Sequence, residues 1–467
     1  MATVSVDPAR RRRVLKVIVL SLLLDLISFT FILPLFPSLL EFYRNAETAL
    51  DDGKSQSPTL LASILDYLNA YKASFARPID SRYDIVLLGG ALGSLFSLLQ
   101  AVASPVIGHM SDRYGRRTAL LASMMGNIIS VLLWVVAVDF RTFLLSRVVG
   151  GLSEGNVQLA MAIATDISDD STRGSTMALI GVCFSVAFTF GPALGAWLST
   201  ITMFKTNPFA AAAGFSLFLI VAETIYLYLY LPETLPTSAS TEAVAEGVKE
   251  TKETKETKTT KIPRPGNAAS GSDLIHDRTN SHFMLNAVHF VFLLFFSGME
   301  FSLPFMTYDL FGYTSAKNGR LLGFVGLVAS ILQGGVTRRL PPLASVRIGI
   351  VACQIAFLLL GSLSTVGNLY LAAACLATTS ATVVTGLNAL SSFEAHSGER
   401  GGKLGILRSW GQVGRGLGPV LFTSVYWWAG REVAYGAGAI GMSAVLLLSV
   451  FGLKSPPRAT EPKAKTQ

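Results

Sequence analysis

Runs of about twenty apolar residues recur roughly a dozen times along this chain, and each is long enough to cross a bilayer. Lipid offers no partner for backbone N–H and C=O groups, so each run has to cross as a helix. A membrane barrel would show short alternating segments instead. The expected spans are 14–40, 84–107, 118–138, 142–165, 174–199, 208–231, 283–309, 318–337, 346–363, 369–391, 402–428 and 432–453. Only 15% of residues are charged, against about 25% in a soluble domain. The expected fold class is therefore an all-α membrane protein with twelve transmembrane helices.

The net charge of +8 comes from basic residues at span ends. It points to the lipid bilayer surface as partner rather than to nucleic acid. Lys and Arg concentrate in the segments on the same side as the N-terminus, which predicts that both termini are cytoplasmic. The basic stretch before Val14 leads into a run longer than a cleaved signal would have, so an uncleaved first helix is expected. Cys183, Cys353 and Cys375 all fall in apolar runs and read as small core residues.

The stretch "RGSTMALIGVCFSVAFTFGPALG" from Arg173 is repeated as "RGGKLGILRSWGQVGRGLGPVLF" from Arg400. Arg173/Arg400, Gly174/Gly401, Gly191/Gly418 and Pro192/Pro419 recur at one constant offset, which lays the fifth span over the eleventh. The expected domains are a six-helix bundle at 1–231 and a second at 283–453. A cytoplasmic disordered linker at 232–282, carrying "KETKETKTTK", joins them, and 454–467 forms a cytoplasmic tail. In the long outer loop 41–83, Leu60, Leu61, Ile64, Leu65, Leu68 and Tyr71 fall at helical spacing and predict a short surface helix. Parallel repeats of this kind build alternating-access transporters, with the substrate site between the halves.

Several spans carry ionisable residues. Asp25 sits alone in "VLSLLLDLISFTFILPLFPSLL". Arg147, Gly151, Glu154 and Gln158 step as one helical stripe on the fourth span, and Arg408, Gln412 and Arg415 form a second on the eleventh. Glu300 on the seventh span matches the depth of Arg415. Such residues are functional by default, and their competing role is as ion pairs that hold the bundle together. Counting 1.5 Å per residue puts Asp25 and Arg147 both at roughly mid-depth, where they could pair. Burial disfavours the charged form of Asp25 and Arg147 favours it, so Asp25 is expected to carry protons. Glu154, Arg147 and Glu300 are the other proton-coupling candidates, and Gln158, Arg408, Gln412 and Arg415 are candidates to line the substrate cavity. Glu223, near the inner end of the sixth span, is expected to snorkel or to pair with a neighbour, and His289 to be structural. No phosphate loop, metal cluster or Ser/His/Asp constellation appears, so no enzyme activity, cofactor or metal is expected.

Between the second and third spans lies "GHMSDRYGRR". Its Gly108, Asp112, Arg113, Gly115, Arg116 and Arg117 resemble the cytoplasmic loop motif of the major facilitator superfamily. The resemblance implies two six-helix bundles around a cavity. It also implies a gating role for the motif, with Asp112 latched to the positive N-terminus of the eleventh span. Asp25, Pro34, Pro37, Arg147 and Asp166 match the bacterial tetracycline/proton antiporters. "GPALG", with Gly191, Pro192 and Gly195, resembles their antiporter motif, although Ala178 and Ala187 stand where glycines are expected. "LPETLP", "FSGME" and "LRSWG" resemble an animal tetracycline-transporter-like branch associated with organic-anion efflux. The resemblance implies proton-coupled antiport of small organic compounds by a monomer in the plasma membrane or an organelle membrane. The alternatives are a uniporter or symporter of an endogenous metabolite, and a non-transporting receptor or scaffold on the same fold.

Overall fold

Each regular element is a helix in the computed structural model, which describes residues 8–30, 32–50, 59–75, 83–198, 207–235, 279–396 and 398–456. Most of the expected linker, most of the expected tail, and the side chains of Pro34, Pro37 and Pro192 lie outside the described residues. The helices of the first half are α1 (Pro8–Thr30), α2 (Ile32–Leu50), α3 (Leu60–Ala73), α4 (Asp84–Tyr114), α5 (Arg116–Val135), α6 (Phe140–Ser153), α7 (Asn156–Asp166), α8 (Asp170–Leu198) and α9 (Ala210–Tyr230). Those of the second half are α10 (His282–Phe311), α11 (Ser315–Gly335), α12 (Pro342–Gly361), α13 (Val366–Glu394), α14 (Arg400–Ala429) and α15 (Arg431–Gly452), with a 3-10 turn at Thr337–Arg339.

Among the described residues, nine helices are long and apolar enough to cross a membrane. The expected spans missing from that set are the first, fourth and eleventh, which carry Asp25, Arg147 with Glu154, and Arg408 with Arg415. Charge and glycine lower the hydropathy of α14, whereas α1 has no glycine and is set apart by its charges, Arg10 to Arg13, Lys16 and Asp25. The fourth span fails on length, because it divides into α6 and α7 at Glu154 and Gly155. Low helix propensity in "GGLSEGN" favours the break. Ser123 of α5 fills the gap in the backbone ladder: Gly155 N–H donates to its hydroxyl at 2.9 Å, and that hydroxyl donates to Ser153 O. The predicted stripe from Arg147 to Gln158 is therefore not continuous. The outer end of the first span also differs, since α2 stays helical to Leu50, well past the expected boundary at 40. Tyr43 anchors this extension by donating to Ala137 O at 3.2 Å.

Apolar packing forms two main cores. One gathers buried residues from Val14 to Leu231 with Ala389 and Leu404, and the other runs from Leu285 to Leu453. Between them α4 packs along α14, and α8 packs on α11 and α13. The glycines of α14 explain how it fits between two neighbours. A Cβ at Gly401, Gly405 or Gly416 would strike α4 backbone or side chains, and one at Gly411, Gly414 or Gly418 would strike α10. Small residues on two faces let helix backbones approach closely on both sides. The prolines of this seam have compensating donors. Pro105 leaves Ala101 O without its helical donor, and Ser409 donates to it at 2.6 Å. Pro419 leaves Arg415 O in the same state, and Ser297 donates to it at 3.4 Å.

Candidate functional site: an inner charge network, a central seam and a polar cavity

At the inner end, the glycine turn after α4 starts the network. Gly115 has φ +101°, a conformation that favours glycine, and it turns the chain directly into α5. Asp112 then reaches α14, where its carboxylate accepts from Gly401 N–H at 2.9 Å and Gly402 N–H at 2.6 Å. These are the free first-turn donors of a helix, at the positive end of its dipole. The fully buried Arg116 guanidinium joins Asp112 at 2.6 Å, Asp166 at 2.8 Å and the Ser111 hydroxyl at 2.8 Å. Asp166, whose carboxylate is also buried, pairs with Arg400 of α14 at 3.1 Å. Four charges thus alternate in sign across the two halves. Glu233, just after α9, accepts from the backbone N–H groups of Arg116 and Arg117 at 2.9 and 3.1 Å and so holds the start of α5. Arg113 is exposed, with its guanidinium 5.4 Å from the ring centre of Tyr114.

Midway along the seam, Gln158 is buried and donates to Ser104 O at 2.8 Å. Arg408 approaches the Gln100 carbonyl at 3.5 Å, and its Nε is buried without a hydrogen-bond acceptor. No carboxylate among the described residues lies within ion-pair distance of Arg408, although its charge acts on Glu154 and Asp25 from the other half. Gln412 is half-buried one turn further along α14. Glu300 and Arg415 are both about half exposed and 3.9 Å apart. His289 is buried against Gly411 and bonds Leu407 O at 2.9 Å, a packing role.

Asp25 faces the interior of the first bundle and is 3% exposed. The structure does not place it in an ion pair with Arg147. Asn156 donates to its Oδ1 at 3.0 Å, while Oδ2 has no hydrogen-bond partner. Arg147 instead lies 5.5 Å from the ring centre of Phe143 and 5.9 Å from that of Trp134. Asp25, Arg147 and Glu154 nonetheless line one small cavity of about 40 Å³, with Asn127, Trp134 and Ser216. Residue counting placed Asp25 and Arg147 at one level, as the shared cavity requires, but did not give the direction in which each side chain points. Of the two roles expected for Glu223 the structure shows the pairing: it is 1% exposed, faces α1, and accepts from the Ser21 hydroxyl at 2.6 Å. It does not snorkel, because Ser21 and Ser28 on α1 meet Glu223 and Ser216 on α9 in a polar seam. That spacing of small polar residues, on both sides of Asp25, was the available sequence signal.

The antiporter-type segment serves helix approach. Gly191 is buried against Thr30 of α1, whose hydroxyl donates to Ala187 O at 3.2 Å, and Gly195 is buried one turn on. At the outer end α3 bridges the halves rather than lying on one of them. Tyr71 bonds Ser424 of α14 at 2.7 Å, and Tyr71 and Phe75 both pack on Trp427. Tyr83, at the start of α4, donates to Asp309 of α10.

Two helical cores joined along glycine-lined seams, with buried charges at the joint, define a multi-pass membrane transporter. The sequence matches the Major Facilitator Superfamily over residues 18–419, and the chain belongs to that family. It is 36% identical over 431 residues to the mouse major facilitator superfamily domain-containing protein 10, covering 92% of this chain and 90% of the relative. The human protein of that name is 35% identical over 428 residues, covering 91% and 90%. The crystal structure of the human organic anion transporter MFSD10 (TETRAN) superposes with a TM-score of 0.79 at 32% identity, covering 95% of this chain and 100% of that one. More distantly, class B tetracycline resistance protein of Escherichia coli is 23% identical over 390 residues, 79% of this chain and 88% of that protein. Both the family and its fold point to transport of a small molecule rather than to catalysis.

Proposed function

We propose that this protein exports small organic anions in exchange for protons. Twelve spans would form two six-helix bundles, at 1–231 and 283–453, with both termini cytoplasmic and the monomer as the working unit. The observation that carries the substrate class is Arg408. Its guanidinium lies at the seam between the halves, with one distant amide acceptor and no carboxylate in ion-pair range among the described residues. A cation so placed suits a carboxylate or sulfonate ligand, because a guanidinium presents a fork of donors to a planar or tetrahedral anion. The similarity to a human organic anion transporter supports the same class.

Asp25 is the proposed proton carrier, with Glu154 beside the same cavity and Arg147 as the nearby positive charge. Glu300 is exposed and contributes to coupling less than they do. Asp112 and Arg116, with Asp166 and Arg400, hold the inner gate closed, and rocking the halves apart breaks those contacts. Flux of an organic anion in proteoliposomes tests the reading. Imposing a pH gradient should drive accumulation, and Asp25→Asn should abolish it while exchange of substrate persists. Accumulation of a neutral compound alone, or unchanged pH dependence in the variant, would reject it.

A further inference from the structure

Glu223 is a buried carboxyl that the transport scheme above leaves unused. It sits in the middle of α9, 1% exposed, on the face turned to α1. Its Oε1 accepts one hydrogen bond, from Ser21 at 2.6 Å, and its Oε2 has no partner. Ser21 precedes Asp25 by four residues on the same helix, so it lies one turn away on the same face. Asp25 repeats the pattern, with one donor on Oδ1 and an unpartnered Oδ2. A buried ionised carboxylate needs a counter-charge or several donors, and each of these acids has one neutral donor.

We propose that Glu223 is a second proton-holding carboxyl, coupled to Asp25 across the α1–α9 seam. This rests on Asp25 carrying the transported proton. Ser21, which holds Glu223, lies one helical turn from Asp25, and neighbouring carboxyls in a dry interior resist ionising together, so the loss of one proton makes the second harder to lose. Each protonation forms one O–H bond on a carboxyl oxygen, and each release returns that proton to water. The cavity of about 40 Å³ beside Asp25 has room for water, and the unpartnered Asn127 Oδ1 and Trp134 Nε1 at its wall can bind it. The charged and titratable groups on the surrounding elements are known. They are Arg10, Arg11, Arg12, Arg13, Lys16 and Asp25 on α1, Arg116 and Arg117 at the start of α5, Arg173 and Cys183 on α8, and Arg147 and Glu154 at the cavity. No cation among the described residues lies within ion-pair distance of Glu223.

The test is infrared titration of the purified full-length protein, following the C=O stretch that only protonated carboxyls show. Glu223→Gln should remove one such band, Asp25→Asn a different one. With Glu223 replaced, the Asp25 band should titrate at a midpoint moved by about one pH unit or more, as coupled groups do. If Glu223→Gln removes no band, the group is ionised and the proposal falls. If it removes a band and leaves the Asp25 midpoint in place, Glu223 is only a packed acid, which also overturns it. Ser21→Ala keeps both acids and deletes the one donor to Glu223, so the Glu223 band alone should change frequency; an unmoved band would count against the seam. The transport scheme is judged separately. Normal pH-driven flux in Asp25→Asn would reject Asp25 as carrier whatever the bands show.

Discussion

The two inner seams are built by the same repeat and closed by different chemistry. Arg400, at the start of α14, donates to Thr165 O at 3.4 Å, and its repeat partner Arg173, in α8, donates to Ser392 O at the same distance. The next residue differs. Arg400 meets the carboxylate of Asp166, while Arg173 lies 4.5 Å from the ring centre of Phe393. The glycine after each arginine differs too. Gly401 receives the Asp112 carboxylate, whereas Gly174 faces Pro342. One seam thus carries a charge network with a helix dipole, while at the other Arg173 donates to a backbone carbonyl and lies against the Phe393 ring, with Gly174 beside Pro342. The lesson is that the repeat preserves the position of the clamp, while its strength and its response to salt can differ between seams.

The largest expected effect comes from breaking the charged seam at its centre. Asp166→Ala leaves Arg116 buried with only Asp112 to balance it, and removing one member of a buried pair costs about 3–5 kcal/mol. Thermal unfolding in detergent should show a large loss, and a wild-type melting temperature would mean that the network contributes little. Asp112→Asn should act mainly on the gate. Weakening a dipole contact by about 0.3–2 kcal/mol is enough to shift a two-state equilibrium, so cysteines introduced at the inner ends of α4 and α14 should become more accessible and flux should fall. Unchanged accessibility would equate the two seams and end the comparison.

Phe393→Ala should cost less, about 0.5–2 kcal/mol for a lost cation–π contact, read as a smaller drop in melting temperature than that of Asp166→Ala. If it opens the inner side as much as Asp112→Asn does, the ring matters as much as the charges. Smallest of all is Arg415→Gln. Its partner Glu300 is 3.9 Å away and both are half exposed, so stability should change by about 1 kcal/mol or less. Under the proposed function, Arg408→Gln should lower anion transport more than Arg415→Gln does. Equal losses would move the substrate contact outward along α14.

Much of this architecture was written in one dimension. The apolar runs, the Arg–Gly and Gly–Pro repeats and the inner loop motif predicted a helical membrane protein of this family, because span length and local turn chemistry depend on neighbours in sequence. That Asp25 and Arg147 would lie at one level was also legible, since a helix rises by about 1.5 Å per residue. The side to which a charge turns was not. Asp25 meets Asn156 rather than Arg147, Glu223 turns inward, and Glu300 is left half exposed. Each outcome depends on which helix lies alongside. The break at Glu154 and Gly155 removes the constant phase that a stripe from Arg147 to Gln158 assumed, so Gln158 turns to α4. Helical periodicity fixes relative angles only within an unbroken helix, and only packing against a neighbour decides which face is buried. That is why the sequence by itself determined the helices and their repeat, and the tertiary structure alone decided which buried charges meet.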